Sequence, residues 1–267
     1  MKEISIDESK KIQLNILKCI DSFCRKNEIH YSLAGGTLIG AVRHKGFIPW
    51  DDDIDLMMMR DDYERFLSLF KDEKYKLLSW HNYNEWESLY SSVVDPNTEV
   101  YWSKSTKSTR GIWVSIFPID RIPDDDVIVS KMINKVQRLS KGYILRLKAS
   151  SWTIDTNVAY NLAKAICRFF LKVIPYSMIL KPAEKIITSY NDKETSRFSS
   201  SSEWAFDIIF NFSSKDFNGY EDMKFEDMKA MVCSGYDDYL KGQYGDYMQL
   251  PPEEERVARH DCRMYYK

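Results

Sequence analysis

The sequence predicts an α/β (α+β) fold with a small mixed β-sheet and an added helical region. Three observations support this prediction: a helical apolar pattern over residues 7–26, a strand–helix–strand pattern between residues 30 and 59, and four short strand-like segments between residues 75 and 117. Of the 267 residues, 44% are hydrophobic and 29% are charged, so the chain can bury a substantial core.

The first elements follow from apolar spacing. Residues 7–26 place their apolar side chains on one helical face, which predicts a packed amphipathic helix. A short strand is predicted at His30–Ala34 and a short helix at Thr37–Val42. Gly35 and Gly36 then form the tight junction between strand and helix.

The next strand carries acidic side chains. Ile54 and Leu56 alternate with Asp53 and Asp55, and residues i and i+2 of a strand point to the same face. The two aspartates should therefore project side by side. After them, Asp61 is predicted to cap a helix that runs to Phe70. Later strands are expected around Tyr75–Trp80, Ser88–Val94, Glu99–Trp102 and Ile112–Phe117.

Adjacent carboxylates repel each other unless a cation lies between them or one is protonated. Mg²⁺ or Mn²⁺ suits the pair Asp53 and Asp55, because hard divalent ions prefer carboxylate oxygens and leave positions for water and phosphate. The alternative is an acidic turn before the next helix. An EF-hand calcium loop is disfavoured, since its glycine and glutamate are not at the required offsets.

The glycine pair adds a second functional signal. Backbone N–H groups at a helix start bind anionic oxygens where no Cβ intervenes. Alone, a Gly-Gly bend is weak evidence. Here Arg43, His44 and Lys45 follow it, and the acidic strand comes within about 15 residues. The combination indicates a metal-dependent phosphoryl-transfer site.

These residues also carry a resemblance. The string from Ala34 to Asp55 closely resembles the LicD family, whose strand, Gly-Gly-Thr, helix and Asp-x-Asp strand are like those of the nucleotidyltransferase fold. The stretches 111–120 and 236–252 resemble later blocks of the same family, so the resemblance extends from residue 31 to about residue 260.

The resemblance implies transfer of phosphocholine from CDP-choline to a sugar hydroxyl of a lipid-linked glycan or teichoic acid precursor, with release of CMP. It implies Mg²⁺ or Mn²⁺ on Asp53 and Asp55. Asp53, Asp55, Asp120 and His44 are the candidate catalytic residues, with His44 left open between proton relay and a hydrogen-bonding loop role. The candidate substrate contacts are Gly35, Gly36, Thr37, Arg43, Lys45, Trp50 and Asp52.

One position departs from the family pattern. The block at residues 111–120 usually begins its acidic motif with an aspartate, and this chain has Ser115 there. A serine is neither a carboxylate ligand nor a general base at neutral pH without activation. Three explanations stay open: Asp120, Asp51 or Asp52 substitutes, two carboxylates suffice, or the enzyme is slow or inactive.

A quaternary ammonium headgroup needs aromatic faces and nearby acid. Aromatic residues make up 14% of the chain, and Trp50 adjoins the acidic run. We therefore expect Trp50 near the site, whereas most other aromatic residues are expected in the core.

Three regions are expected: residues 1–120 as N-terminal helix and core, 121–195 as a basic helical region, and 196–267 as a C-terminal segment packing back on the core. Residues 127–190 contain eleven Lys or Arg against two acids. Lys164, Arg168 and Lys172 recur every four residues, which indicates either a solvated basic face or peripheral contact with an anionic membrane.

Composition and cysteine usage limit the compartment and partners. The net charge of −2 gives no nucleic-acid footprint. Five scattered cysteines without a C-x-x-C pair favour reduced thiols, and the first residues lack a signal-peptide pattern. We expect a cytoplasmic protein, with the inner face of the cell membrane as a second location.

Three alternatives to phosphocholine transfer follow from the same residues. The group moved could be phosphoethanolamine or a polyol phosphate, or the enzyme could be a true nucleotidyltransferase. A non-enzymatic choline- or glycan-binding module is disfavoured, because a pure binder has no use for paired carboxylates beside a phosphate loop.

Overall fold

The computed structural model describes residues 1–83, 86, 88–102, 110–149, 160–163, 165–166, 169, 175–206, 210–258 and 260–267, the side chains of 141–149 and 205–206 excepted. Six α-helices have described bounds: α1 Ile6–Lys26, α2 Gly35–Ile39, α3 Arg60–Leu69, α4 Asp126–Ala149, α5 Ser177–Ile187 and α6 Tyr236–Tyr244. A π-helical turn, Gly40–His44, continues α2. The predicted α/β organisation with a small mixed sheet is confirmed.

The main sheet has seven strands. Five lie in the order β2 Ser32–Leu33, β3 Asp55–Met59, β7 Trp113–Ile122, β5 Ser91–Val94 and β4 Lys76–Leu78. Strands β3 and β7 are parallel and the other neighbours are antiparallel. The far end of β7 pairs with β8 Arg197–Ser199, which pairs with β9 Asn211–Ser213. The acidic strand is therefore second from one edge, with β7 on its inner side.

The two ends of the chain meet in a second sheet. Strand β12, Cys262–Tyr266, lies between β1, Glu3–Ile4, and β6, Thr98–Trp102. A hairpin of β10 Tyr220–Phe225 and β11 Met228–Cys233 packs near the start of the main sheet, where the Cys233 N–H donates to Ser32 Oγ. Residues 196–267 thus contribute strands to both sheets.

The first helix begins as its sequence predicts. Ser5 and Glu8 form a capping box, and the buried face of α1 includes Ile16, Leu17 and Ile20. The start of α3 differs from the prediction. Asp61 lies in the first turn of α3, and Met59 occupies the N-cap position without a side-chain hydrogen bond. Asp61 therefore interacts with the helix as a first-turn acid, not as its cap.

The glycine junction also differs in detail. Gly35 and Gly36 are the first residues of α2 and not a turn before it. Gly35 has φ +49°, a backbone conformation that glycine adopts at little cost.

Asp120 is a buried structural residue in this fold. Its side chain is fully buried at the end of β7, and its two carboxylate oxygens each accept a 2.7 Å hydrogen bond from Arg60. Asn191 donates to the same carboxylate at 2.7 Å. The arrangement is a bidentate ion pair that joins α3 to the sheet.

The basic helical region is only partly described. Lys164, Arg168 and Lys172, and the side chain of Arg146, lie outside the described residues. Residues 160–163, 165, 166 and 169 are helical, and the side chains of Leu162, Ile166 and Phe169 are at least half exposed. Within the described ranges, none of the helices combines the length and apolar character needed to cross a membrane.

The buried ion pair predicts a large stability effect. Replacing Asp120 with Ala leaves the Arg60 guanidinium buried and uncompensated, so we expect a loss of about 3–5 kcal/mol in the free energy of unfolding. Urea unfolding followed by circular dichroism measures it. The control is Asp126→Ala, which breaks an ion pair with Arg197 whose acid is 84% exposed and should cost at most about 1 kcal/mol. Equal losses in the two variants would contradict a structural role for Asp120.

Candidate functional site

A cleft of about 710 Å³ opens where β2 leads into α2 and where β3 begins. Its charged lining comes from four separate parts of the chain. The acids are Asp51, Asp53, Asp55, Glu203, Asp246 and Glu255, and the basic side chains are Arg43, Arg110 and His260. The structure therefore brings the predicted acidic strand together with residues more than 140 positions away.

Asp53 and Asp55 line this cleft together. The Asp55 N–H donates to Thr37 Oγ1 at 2.9 Å, so Thr37 fastens the start of α2 to the acidic strand from a buried position. Burial and the charges of Asp53 and Glu203 raise the pKa of Asp55 well above its ordinary value, and the Ser115 hydroxyl opposes this shift only in part. The carboxyls of Asp53 and Asp55 therefore interact, and ionising Asp55 beside a charged Asp53 costs free energy.

Ser115 lies directly beside Asp55. The two residues are register partners across the parallel pair β3 and β7, and Ser115 also lines the cleft. The third-acid position of the family pattern therefore faces the site in this chain and carries a hydroxyl there.

Glu203 is a site residue that the sequence did not reveal. It lies in the 3₁₀ turn Ser201–Phe206, lines the cleft, and acts on the charge of Asp55. Burial raises the pKa of Glu203 to about 7. Its sequence context is a run of buried serines, residues 199–202, which gives no catalytic signal. A carboxyl that titrates near neutral pH beside two other acids is suited to proton transfer.

His260 is another residue of this site; with Cys262 alone the sequence offered too few ligands for a zinc site, and the partners of His260 in the fold are Asp52 and Asp53. It immediately precedes the β12 strand region, and its ring Nδ1 lies 3.0 Å from Asp52 Oδ1. The His260 backbone N–H also donates to Asp52 Oδ2 at 3.2 Å. Burial lowers the pKa of His260, but the hydrogen bond to Asp52 and the charges of Asp53 and Asp52 outweigh it, so the pKa is raised overall.

The donor set fits a divalent cation. One ligand atom from each of Asp52, Asp53 and His260 lies within 4.8 Å of the others. Asp55, the other predicted ligand, lines the same cleft but is not a member of this close group, and burial with the charge of Asp53 raises its pKa. Carboxylate oxygens are ligands for Mg²⁺ and Mn²⁺, and an imidazole nitrogen is a ligand for first-row transition-metal ions.

The glycine bend is less open to phosphate than the sequence suggested. The Gly35 N–H donates to the Tyr239 hydroxyl at 3.0 Å. A Cβ on Gly36 would lie 2.6 Å from Asp51 Oδ2, so the Asp51 carboxylate packs against this glycine. The prediction that both glycine amides hold phosphate is therefore corrected for Gly35, whose donor is already used inside the protein.

The basic triplet has divided roles. Arg43 lines the cleft, and its guanidinium donates to the carbonyl oxygens of Tyr247 and Gln249 and to His44 Nε2. His44 is therefore a hydrogen-bonding residue at the end of the π-helical turn and is not among the cleft-lining residues. Burial and the charge of Arg43 lower the pKa of His44. Lys45 is exposed and donates to the Val42 carbonyl oxygen, so its predicted phosphate contact is not supported by its position.

Aromatic side chains form much of the remaining wall. Trp50 lines the cleft, as expected from its place beside the acidic run, with the Arg256 guanidinium 5.6 Å from its ring centroid. Arg110 contacts the faces of Trp86, Trp102 and Trp113, at 4.3 Å from the Trp113 centroid. Arg110 brings a positive charge to the cleft that no sequence motif indicated.

Asp120 is not brought into this group. It is absent from the cleft lining among the described residues, and its carboxylate is held by Arg60 and Asn191. Its predicted catalytic role is therefore not supported, because both carboxylate oxygens already accept hydrogen bonds from buried partners.

The chain is similar to a known protein over nearly its whole length. Residues 28–141 match the family described as LicD/FKTN/FKRP, nucleotidyltransferase domain. The chain is 30% identical over 286 aligned positions to the lipopolysaccharide cholinephosphotransferase LicD of Haemophilus influenzae, and the alignment covers 99% of each chain. An uncharacterised protein of Rickettsia typhi is 38% identical over 81 residues, which are 29% of this chain and 26% of the relative.

The raised pKa of Glu203 predicts a pH effect on stability. Between its ordinary value of 4.5 and about 7, the folded state retains a proton that the unfolded state releases. The free energy of unfolding should therefore fall by up to about 3 kcal/mol as pH rises through this range, in the presence of a chelator.

Urea unfolding between pH 4.5 and 8 tests this effect. Glu203→Gln should remove that part of the slope and be the more stable protein at pH 8. The control is Glu221→Gln, an exposed position whose slope should match the unmodified protein. Parallel curves for Glu203→Gln and the unmodified protein would contradict the assignment.

Proposed function

The chain belongs to the LicD family, and we propose that it transfers phosphocholine from CDP-choline to a sugar hydroxyl of a cell-surface glycan precursor, releasing CMP. The observation that carries the proposal is the shared cleft of Asp53 and Asp55 beside Gly36 and Trp50, in a chain aligned over its full length with a cholinephosphotransferase. A teichoic acid precursor and a lipid-linked glycan are the acceptors we infer.

The reaction forms one bond and breaks one. The acceptor oxygen attacks the phosphorus that bears choline, the bond from that phosphorus to the CMP oxygen breaks, and the hydroxyl proton leaves to a base. Asp53 and Asp55 would hold Mg²⁺ or Mn²⁺. When bound, this cation neutralises charge on the donor phosphates and on the departing CMP.

Glu203 is the base that we infer. Its carboxyl lines the cleft and titrates near neutral pH, so it can accept the hydroxyl proton and release it afterwards. Asp51 and Asp52 are less suited, because Asp51 packs on Gly36 and Asp52 binds His260 through both oxygens. A base carried outside β7 would allow Ser115 in an active enzyme.

Two arginines would bind the donor diphosphate. Arg43 and Arg110 line the cleft from different segments of the chain. Arg43 donates hydrogen bonds to backbone carbonyl oxygens, and Arg110 packs on indole rings, so both guanidinium groups are positioned by the protein. A guanidinium fixed in this way can bind phosphate oxygens without losing further side-chain freedom. Trp50 would offer an aromatic face to the choline headgroup.

The exposed apolar side chains at residues 162, 166 and 169 support membrane contact. They lie within the segment that has an excess of nine positive charges, and anionic lipid attracts such a surface. We propose that the enzyme works in the cytoplasm at the inner face of the membrane, where a lipid-linked acceptor is within reach.

The strand acids give the first activity prediction. Asp53→Asn and Asp55→Asn should each lower the rate of divalent-cation-dependent CMP release from CDP-choline by at least about a hundredfold, because each removes a charge that acts on the reacting phosphates. Chromatographic measurement of CMP with a glycan acceptor follows the reaction. Asp61→Asn, an exposed acid at the start of α3, should retain the full rate.

Labelled donors separate the alternatives. Label in the choline methyl groups should appear on the acceptor, while label in the cytidine should remain soluble. Cytidine label on the acceptor would instead establish a nucleotidyltransferase. CDP-ethanolamine and a CDP-polyol run in parallel would identify another phospho-alcohol as the group moved.

The membrane proposal has its own test. Leu162→Glu with Phe169→Glu should reduce co-sedimentation with vesicles containing phosphatidylglycerol at least about tenfold. The double substitution removes two exposed apolar side chains, and its two added carboxylates offset part of the local positive charge. CMP release with a water-soluble acceptor should not change. Unaltered vesicle binding would remove this surface from the proposal.

A further inference from the structure

We propose that the cation site carries a nitrogen ligand, His260 Nε2, and that this ligand shifts the site's preference from Mg²⁺ towards Mn²⁺. The inference rests on the proposed function insofar as that function needs a divalent cation. It concerns a residue in the last eight of the chain, more than 200 positions from the acids that it joins.

The position of His260 is fixed from two sides. Its ring packs edge-on between Trp102 and Trp113, with centroid distances of 5.6 and 5.4 Å. Trp102 is the last residue of β6 and pairs directly with Cys262. The sheet that joins the two ends of the chain therefore also fixes the position of His260, two residues before Cys262. Only 27% of the His260 side chain is exposed. The ring therefore has little rotational freedom.

The orientation of the ring follows from Asp52. The carboxylate accepts from His260 Nδ1 and from the His260 backbone N–H, and the Asp52 carbonyl oxygen accepts from buried Gln13. Because a carboxylate only accepts, we place the neutral ring's proton on Nδ1, which leaves the lone pair on Nε2. Asp52 is thus a positioning residue for the ring.

The free ring nitrogen points to the strand acid. Nε2 lies 3.8 Å from Asp53 Oδ2. Two atoms that bind one divalent ion at about 2.1 Å each are about 3–4 Å apart, so this pair can share an ion without rearrangement. A ligating histidine whose other ring N–H is held by a carboxylate is the usual second-shell arrangement of protein metal sites.

The donor chemistry then favours a transition metal. Mg²⁺ prefers oxygen ligands and binds imidazole weakly, whereas affinity for nitrogen donors increases along the first-row divalent ions. A site with Asp53 and His260 should therefore bind Mn²⁺ more tightly than Mg²⁺. The competing explanation is a purely structural latch, in which Asp52 and His260 only tie the C-terminal segment to the acidic run.

Electron spin-echo spectroscopy of bound Mn²⁺ distinguishes the two. The unmodified protein loaded with Mn²⁺ should show ¹⁴N modulation, and growth with ¹⁵N-histidine should replace it by the ¹⁵N pattern. This measurement needs no substitution, so it is decisive even if variants fold poorly. Bound Mn²⁺ without a histidine nitrogen signal would overturn the proposal.

A matched pair of variants measures the preference. His260→Gln should weaken Mn²⁺ binding at least about tenfold in an EPR titration and change Mg²⁺ binding, measured by competition, less than about threefold. His30→Gln, a half-exposed ring stacked on Tyr220, should leave both affinities unchanged. Equal losses for Mn²⁺ and Mg²⁺ would indicate a latch.

The two proposals fail separately. CMP release with Mg²⁺ and no histidine nitrogen signal would support the transferase proposal and contradict His260 as a metal ligand. A histidine nitrogen signal without CMP release from CDP-choline would keep the ligand and remove the proposed reaction.

Discussion

Repulsion among carboxylates at the start of β3 is the constraint around which this site is arranged. The fold places Asp51, Asp53 and Asp55 within five residues and adds Glu203 from a distant turn. Burial makes each charge costly, and the raised pKa values of Asp55 and Glu203 are the direct result. Such a cluster opposes folding unless protons or a cation offset it, and groups with perturbed pKa values in a cleft are typical of functional sites.

The C-terminal third holds this acidic cluster in place. Tyr239 accepts from Gly35 at the start of α2, the carbonyl oxygens of Tyr247 and Gln249 accept from Arg43, and His260 binds Asp52. Each contact joins residues more than 200 positions apart. The N-terminal motif supplies the acids, and the C-terminal segment orders the groups around them. Neither part forms the site alone, which is consistent with similarity to the Haemophilus influenzae relative over the whole chain.

Local periodicity was sufficient for the strand acids and insufficient for their partners. Alternation predicts that Asp53 and Asp55 face one way, and both line the cleft although the paired part of β3 begins only at Asp55. Local periodicity does not predict the ion pair between Asp120 and Arg60, because Arg60 lies 60 positions earlier in the chain. Periodicity also cannot distinguish the two histidines. His44 accepts a hydrogen bond from its neighbour Arg43, whereas His260, just before β12, contacts Asp52 across more than 200 positions. Roles that depend on pairing between distant strands require the fold.

Ser115 shows how such a site can tolerate the loss of a family acid. A carboxylate at this position would stand beside Asp55, where burial and three other acids already raise the Asp55 pKa. The serine hydroxyl acts in the opposite direction and lowers that pKa. Glu203 lines the same cleft from the 3₁₀ turn after β8, and β8 is anchored on β7 itself. Glu203 thus brings a carboxyl into the cleft from a turn that the same strand positions. A hydroxyl at residue 115 leaves Asp55 easier to ionise than an adjacent carboxylate would.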